Sequence, residues 1–97
     1  MFLTILSGHV AAQNHAQLTK AYAQAVRRPP EGLLQSFLVE SNETIGLWQV
    51  VSLWKSEEAY RAAHKAGLTG TCESLFCDAG VSPDRSTYRV AERFMQV

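Results

Sequence analysis

Residues 50–67 read VVSLWKSEEAYRAAHKAG, and the change of period inside this stretch decides the fold. Up to Trp54 the chain is β-branched and apolar on alternate sides, as a strand is. Ser56 then serves as a natural N-cap, and Glu57 and Glu58 sit at the positive end of the helix that follows. That helix runs to about Ala66, where Gly67 is a natural stop. Followed backwards, the strand begins near Thr44, giving TIGLWQVVSLW over residues 44–54. Asn42-Glu43 forms a tight turn, and GLLQSFLVES over residues 32–41 supplies a partner strand, so the two make a hairpin.

Working outward, residues 2–10, FLTILSGHV, fit a central strand. Residues 12–28, AQNHAQLTKAYAQAVRR, are rich in helix formers. Ala11, His15, Leu18, Tyr22 and Ala25 or Val26 fall at three- and four-residue steps, one stripe on a helix. Pro29-Pro30 ends it, and Arg27 and Arg28 suit its last turn. At the other end, residues 71–78 are expected to form a short extra helix. A loop through Gly80 and Pro83 follows, and then a final strand over residues 87–95, TYRVAERFM. The order is β-α-β-β-α-β in a single domain over residues 1–97. It is an α+β, ferredoxin-like arrangement: a four-stranded antiparallel sheet with the first and third strands central and the helices on one face.

The composition narrows the function classes. The 97 residues are 46% apolar and 19% charged, with nine basic and nine acidic side chains. A neutral chain has no electrostatic reason to bind nucleic acid or an anionic membrane. No stretch of 18 apolar residues is present, and the apolar N-terminus lacks a basic n-region, so it reads as a strand rather than a signal peptide. Cys72 and Cys77 are too few for a disulfide scaffold, and their spacing lacks the partners a zinc site needs. Two idle thiols in a reducing cytoplasm is the simplest expectation, with no metal site.

The third strand has apolar residues on both sides, yet only one layer of helices is available. The bare face is therefore expected to meet a partner sheet in a homodimer. On the covered face, Trp48, Val50, Ser52 and Trp54 alternate toward the helix that carries Tyr60 and His64, four residues apart. If that helix face turns inward, a pocket results, walled by two indoles and a phenol with one imidazole pointing in. It suits a small, flat, hydrophobic aromatic molecule. Histidine titrates near neutrality, whereas a tyrosine phenol does so only at about 10, so His64 is the expected proton acceptor. The bland alternatives are that the aromatics are core and that His64 is a satisfied surface histidine. Arg27-Arg28 and Glu57-Glu58 read as dipole partners rather than catalytic groups.

Trp54, Glu57, Glu58, Tyr60 and His64 give the chain its resemblance to the antibiotic-biosynthesis-monooxygenase-like family, the dimeric α+β barrels. Members end the third strand in an aromatic, follow it with a short acidic turn, and then carry an Ala/aromatic-x-x-x-His helix. The resemblance implies a homodimer packed sheet to sheet. It also implies an oxygenase that needs no cofactor, acting on an aromatic phenol that itself supplies the electrons to oxygen. His64 and Tyr60 would be catalytic, and Trp54, Trp48, Val50 and Ser52 would bind substrate. Other members degrade haem, using a helix histidine on the iron and a first-strand Asn; the first strand here offers Thr4 and Ser7. Quinone-forming members have a polar side chain where this chain has Val50, and many relatives have Glu where it has Ser52. A dimeric barrel that only binds a small hydrophobic metabolite is the non-enzymatic reading.

Overall fold

The computed structural model describes residues 1–96, the side chains of residues 71 and 72 excepted. Its elements are β1 (Phe2–His9), a 3-10 turn (Ala12–Asn14), α1 (His15–Ala25), β2 (Leu33–Glu40), β3 (Leu47–Trp54), α2 (Glu57–Lys65), α3 (Gly70–Asp78) and β4 (Asp84–Arg89). The sheet order is β2-β3-β1-β4, antiparallel throughout, with β1 and β3 at the centre. The fold is the ferredoxin-like α+β arrangement that the element order predicts. No described helix is long and apolar enough to cross a membrane.

The helices cover the face carrying Phe2, Thr4 and Leu6 of β1 and Trp48, Val50, Ser52 and Trp54 of β3, all buried. Register aligns the central strands residue for residue, with Leu6 opposite Val50 and Thr4 opposite Ser52. Two clusters fill the space beneath the helices. One gathers Leu6, Leu18, Trp48, Val50, Leu75 and Phe76, and the other Phe2, Trp54, Tyr60 and Ala63. Phe76 of α3 is wholly inaccessible. Burying a side chain of that kind is worth about 1.5–3 kcal/mol. Its ring approaches β1 closely because Gly8 is there: a Cβ at that position would stand 2.8 Å from Phe76 Cδ1.

Local chemistry sets the ends of α2. Ser56 Oγ accepts the Ala59 N–H at 3.1 Å, the expected N-cap. At the other end Gly67 takes φ +77°, its N–H bonds the His64 carbonyl, and the Leu68 N–H reaches back to Ala63. This doubly bonded turn needs a residue free to adopt positive φ.

Four boundaries differ from expectation. α1 is preceded by a 3-10 turn and stops at Ala25, so Arg27 and Arg28 lie beyond its last turn. β3 begins at Leu47 rather than Thr44. The Ser41 hydroxyl accepts the Glu43 and Thr44 N–H groups, and Gly46 at φ +81° turns the chain, leaving Ile45 almost fully exposed. α3 starts one residue before its expected position. The final strand is Asp84–Arg89 rather than residues 87–95, because its register is set by pairing with β1, Phe2 opposite Arg89 and Ser7 opposite Asp84. Cys77 is exposed and free, while the expectation for Cys72 lies outside the described side chains.

Among the described residues, no helix lies on the far side of the sheet. Leu3 and Ile5 of β1 and Val51 and Leu53 of β3 are half-buried there. Phe37 of β2 and Tyr88 of β4, 53% and 50% exposed, flank them.

Candidate functional site

A cavity of about 60 Å³ opens between the covered face of the sheet, the segment after α1 and the α2–α3 turn. Its floor is a row of hydroxyls. Thr4 of β1 stands opposite Ser52 of β3, and Ser52 opposite Ser36 of β2. The Tyr22 phenol of α1 donates to Ser36 Oγ at 2.7 Å, and Ser36 and Ser52 are 3.4 Å apart. Trp54 forms one wall. Its indole N–H donates to Thr4 Oγ1 at 3.1 Å, so a ligand meets the ring as apolar surface and not as a donor. Val50, Leu6 and Leu33 extend that apolar surface, and Pro29 and Pro30 frame the mouth opposite Leu68.

Two cations line this space: Arg28, in the segment after α1, and Arg85. Arg85, on the inward side of β4 opposite Leu6, lines the cavity with its side chain only 20% exposed. One arm donates to the Tyr60 hydroxyl oxygen at 3.1 Å, and the other is paired with Glu73 of α3. The guanidinium carbon also lies 5.9 Å from the Tyr60 ring centre. Arg85 is thereby held from two other elements, α2 and α3, and its charge is paired with one partly exposed carboxylate. Such a group favours a ligand oxygen that carries negative charge.

The residues singled out by sequence divide into two sets. Trp54, Val50 and Ser52 line the cavity. Trp48 stands at the other end of the same strand face, in the first core cluster, with its ring edge-on to His15 at 5.0 Å. Tyr60 is buried behind Trp54, its ring 5.4 Å from both Trp54 and Phe2. His64 stacks on Tyr60 at 5.7 Å and is exposed, with Nδ1 2.7 Å from Thr69 Oγ1. The pocket of two indoles, a phenol and an imidazole therefore takes a different form. One indole forms the wall, and the phenol and imidazole stand behind it.

What links them to the cavity are two residues that the sequence reading passed over. Tyr60 reaches it through Arg85, and His64 through Thr69, which is 8% exposed and lines the cavity. A signal for Arg85 existed: Arg85, Thr87 and Arg89 alternate in DRSTYR, so a strand begun at Asp84 places Arg85 on the face of Thr4 and Leu6. Thr69 had no comparable signal, since it lies between Gly67 and Gly70 in a stretch without period.

Comparison with known proteins follows the same outline. The sequence model of the antibiotic biosynthesis monooxygenase family matches residues 1–69. Among solved structures, a candidate antibiotic biosynthesis monooxygenase from Deinococcus radiodurans is similar at 21% identity and TM-score 0.73, covering 100% of this chain and 99% of that one. A mutant of SnoaB, a cofactor-independent oxygenase from Streptomyces nogalater, is 12% identical over 98% of both chains, TM-score 0.71. The haem-degrader MhuD from Mycobacterium tuberculosis, with two haems bound in its active site, is 17% identical over 98% of this chain and 100% of that one, TM-score 0.76. No match was found among curated proteins. At these identities the structural likenesses speak for the fold, and the family rests on the sequence match, which takes in β1 through α2 and the turn ending at Thr69: the chain belongs to the antibiotic biosynthesis monooxygenase family.

Proposed function

We propose that the protein is a cofactor-independent monooxygenase of a small aromatic phenol. The observation that carries this reading is Arg85, a guanidinium brought into a cavity beside the apolar surfaces of Trp54, Val50, Leu6 and Leu33. A phenol lying against Trp54 with its oxygen toward Arg85 is favoured as the phenolate, because the cation stabilises the charge that forms when the proton leaves. The phenolate ring is electron-rich and supplies the electrons to oxygen itself. For an anthrone, the ring CH₂ and O₂ give the quinone C=O and one water, so atoms and electrons balance without a further reductant. The protein holds the ring, excludes water and handles the phenolic proton. Tyr60 fixes Arg85, and the His64 imidazole meets the cavity-lining Thr69. A ligand pocket for such a ring spans roughly 300–1,000 Å³.

The family and its haem-degrading relatives raise a second group to weigh. The described residues do not fit a haem. The cavity wall holds no imidazole, thiolate, thioether or phenol, the side chains that carry haem iron, and His64 is turned outward with Nδ1 engaged by Thr69. Binding without chemistry is favoured by one observation: Val50 presents an isopropyl group to the cavity where quinone-forming relatives are polar.

The bare sheet face supports a homodimer packed sheet to sheet, with Phe37 and Tyr88 at its margins. The free thiol of Cys77 is in keeping with a reducing cytoplasm. Oxygen uptake against a panel of anthrones and hydroquinones, with haemin titration alongside, tests the reading. Uptake matched by quinone formation supports it, and binding of the aromatic without uptake replaces it with the binding role.

A further inference from the structure

We infer that Thr69 and His64 form a proton relay that carries the phenolic proton from the cavity to solvent. The inference rests on the oxygenase reading and adds to it a route and a residue. Thr69 occupies the N-cap position of α3, where threonine ordinarily accepts a backbone N–H. Here its backbone is helical, φ −84° and ψ −13°, and its hydroxyl makes no cap. The hydroxyl is instead 2.7 Å from His64 Nδ1, and Thr69 is buried and lines the cavity while His64 is exposed. A buried hydroxyl against a solvent-facing imidazole is a two-step path across the wall.

In the Nε2–H tautomer the Thr69 hydroxyl donates to Nδ1. The substrate O–H bond breaks as its proton passes to Thr69 Oγ1, whose own proton passes to Nδ1. The imidazolium then loses a proton to bulk water, and the phenolate remains beside Arg85. The imidazole faces Tyr60 on its own helix and Thr69 from the turn. The charged groups tied to that neighbourhood by a contact are Arg85 of β4, which donates to the Tyr60 hydroxyl, and Glu73 of α3, paired with Arg85; β4 also carries Asp84 and Arg89, and α3 Asp78.

The test uses Thr69→Val, which removes the hydroxyl at nearly constant shape, Thr69→Ser, which keeps it, and His64→Ala at an exposed position. The rate at which bound 4-nitrophenol ionises after a pH jump is read by absorbance, and oxygen uptake with an anthrone is read in parallel. Expected is fast ionisation of the bound probe in the wild type and in Thr69→Ser. In Thr69→Val and His64→Ala that rate should fall equally, with no further change in the double variant, while the pH at which the bound probe is half-ionised stays where Arg85 sets it. In turnover both should lose about 10²-fold or more in kcat with KM little changed. Added imidazole should restore His64→Ala and not Thr69→Val. Should Thr69→Val fail to fold, the His64→Ala spectra and imidazole rescue still decide the matter. A bound probe whose rate of ionisation is indifferent to either change, or a wild type that does not bind the probe, overturns the relay. A wild type that binds and ionises the probe but consumes no oxygen overturns the oxygenase reading and leaves the relay standing.

Discussion

Arg85 and Tyr60 are 25 residues apart in the chain, yet the Arg85 guanidinium donates to the Tyr60 hydroxyl at 3.1 Å and lies over its ring. The contact ties β4 to α2 across the edge of the sheet. It aims a cation into a cavity that the helix residue itself does not line.

Replacing that cation by a neutral chain of similar reach isolates its role. Arg85→Met should weaken binding of 4-nitrophenolate by about tenfold or more, the scale of one charge-assisted hydrogen bond. Binding of a neutral aromatic such as naphthalene should change little. Tryptophan fluorescence titration checks both, and equal losses for the two ligands would count against an anion-directing role.

Trp54 contributes surface rather than a donor, since its N–H is given to Thr4. Trp54→Phe should therefore raise KM for an aromatic substrate while leaving kcat nearly intact. Thr4→Val should act on stability instead. It leaves a buried indole N–H without an acceptor, at a cost of about 1–3 kcal/mol, measured by urea unfolding.

Gly8 and Phe76 should behave as a coupled pair. Phe76→Ala removes a fully buried ring and should cost about 3–5 kcal/mol. Gly8→Ala forces a methyl group against that ring and Val81, and should cost about 1–3 kcal/mol. In the Phe76→Ala background the Gly8 substitution should cost less, because the nearest obstacle is gone. A double-mutant cycle by chemical denaturation checks the sign; additive losses would mean that the close approach relaxes elsewhere.

The bare sheet face predicts self-association. A homodimer burying at least about 1,000 Å² should give twice the single-chain mass in light scattering at micromolar concentration. Phe37→Glu, at a 53% exposed position on that face, should shift the population toward monomer without unfolding the chain. A wild type that runs as a single chain would dispose of the dimer.

The sequence determined the elements and their faces. The β-α-β-β-α-β order, the Ser56 cap, the Gly67 stop and the inward set Trp48, Val50, Ser52 and Trp54 all follow from local rules: a two-residue period, a 3.6-residue period and terminal hydrogen bonding. These rules say which side of the sheet a residue faces, not where on that side it ends up. Trp48 and Trp54 share one face, yet they stand six residues apart in the strand and fall into different clusters. Helix rotation was likewise a tertiary matter. α2 buries Tyr60 and Ala63, so at roughly 100° per residue the middle of its inward face falls between them, and His64 lies about 70° away, at the margin. Tyr60–His64 spacing fixed their shared stripe; packing of Tyr60 against Phe2 and Trp54 fixed which edge of that stripe met water. Arg85 and Thr69 depended on pairings that no local pattern encodes: the register of β4 against β1, and the turn that brings Thr69 back under His64. The cavity lies between elements distant in sequence, so its chemistry appeared only once those elements were packed.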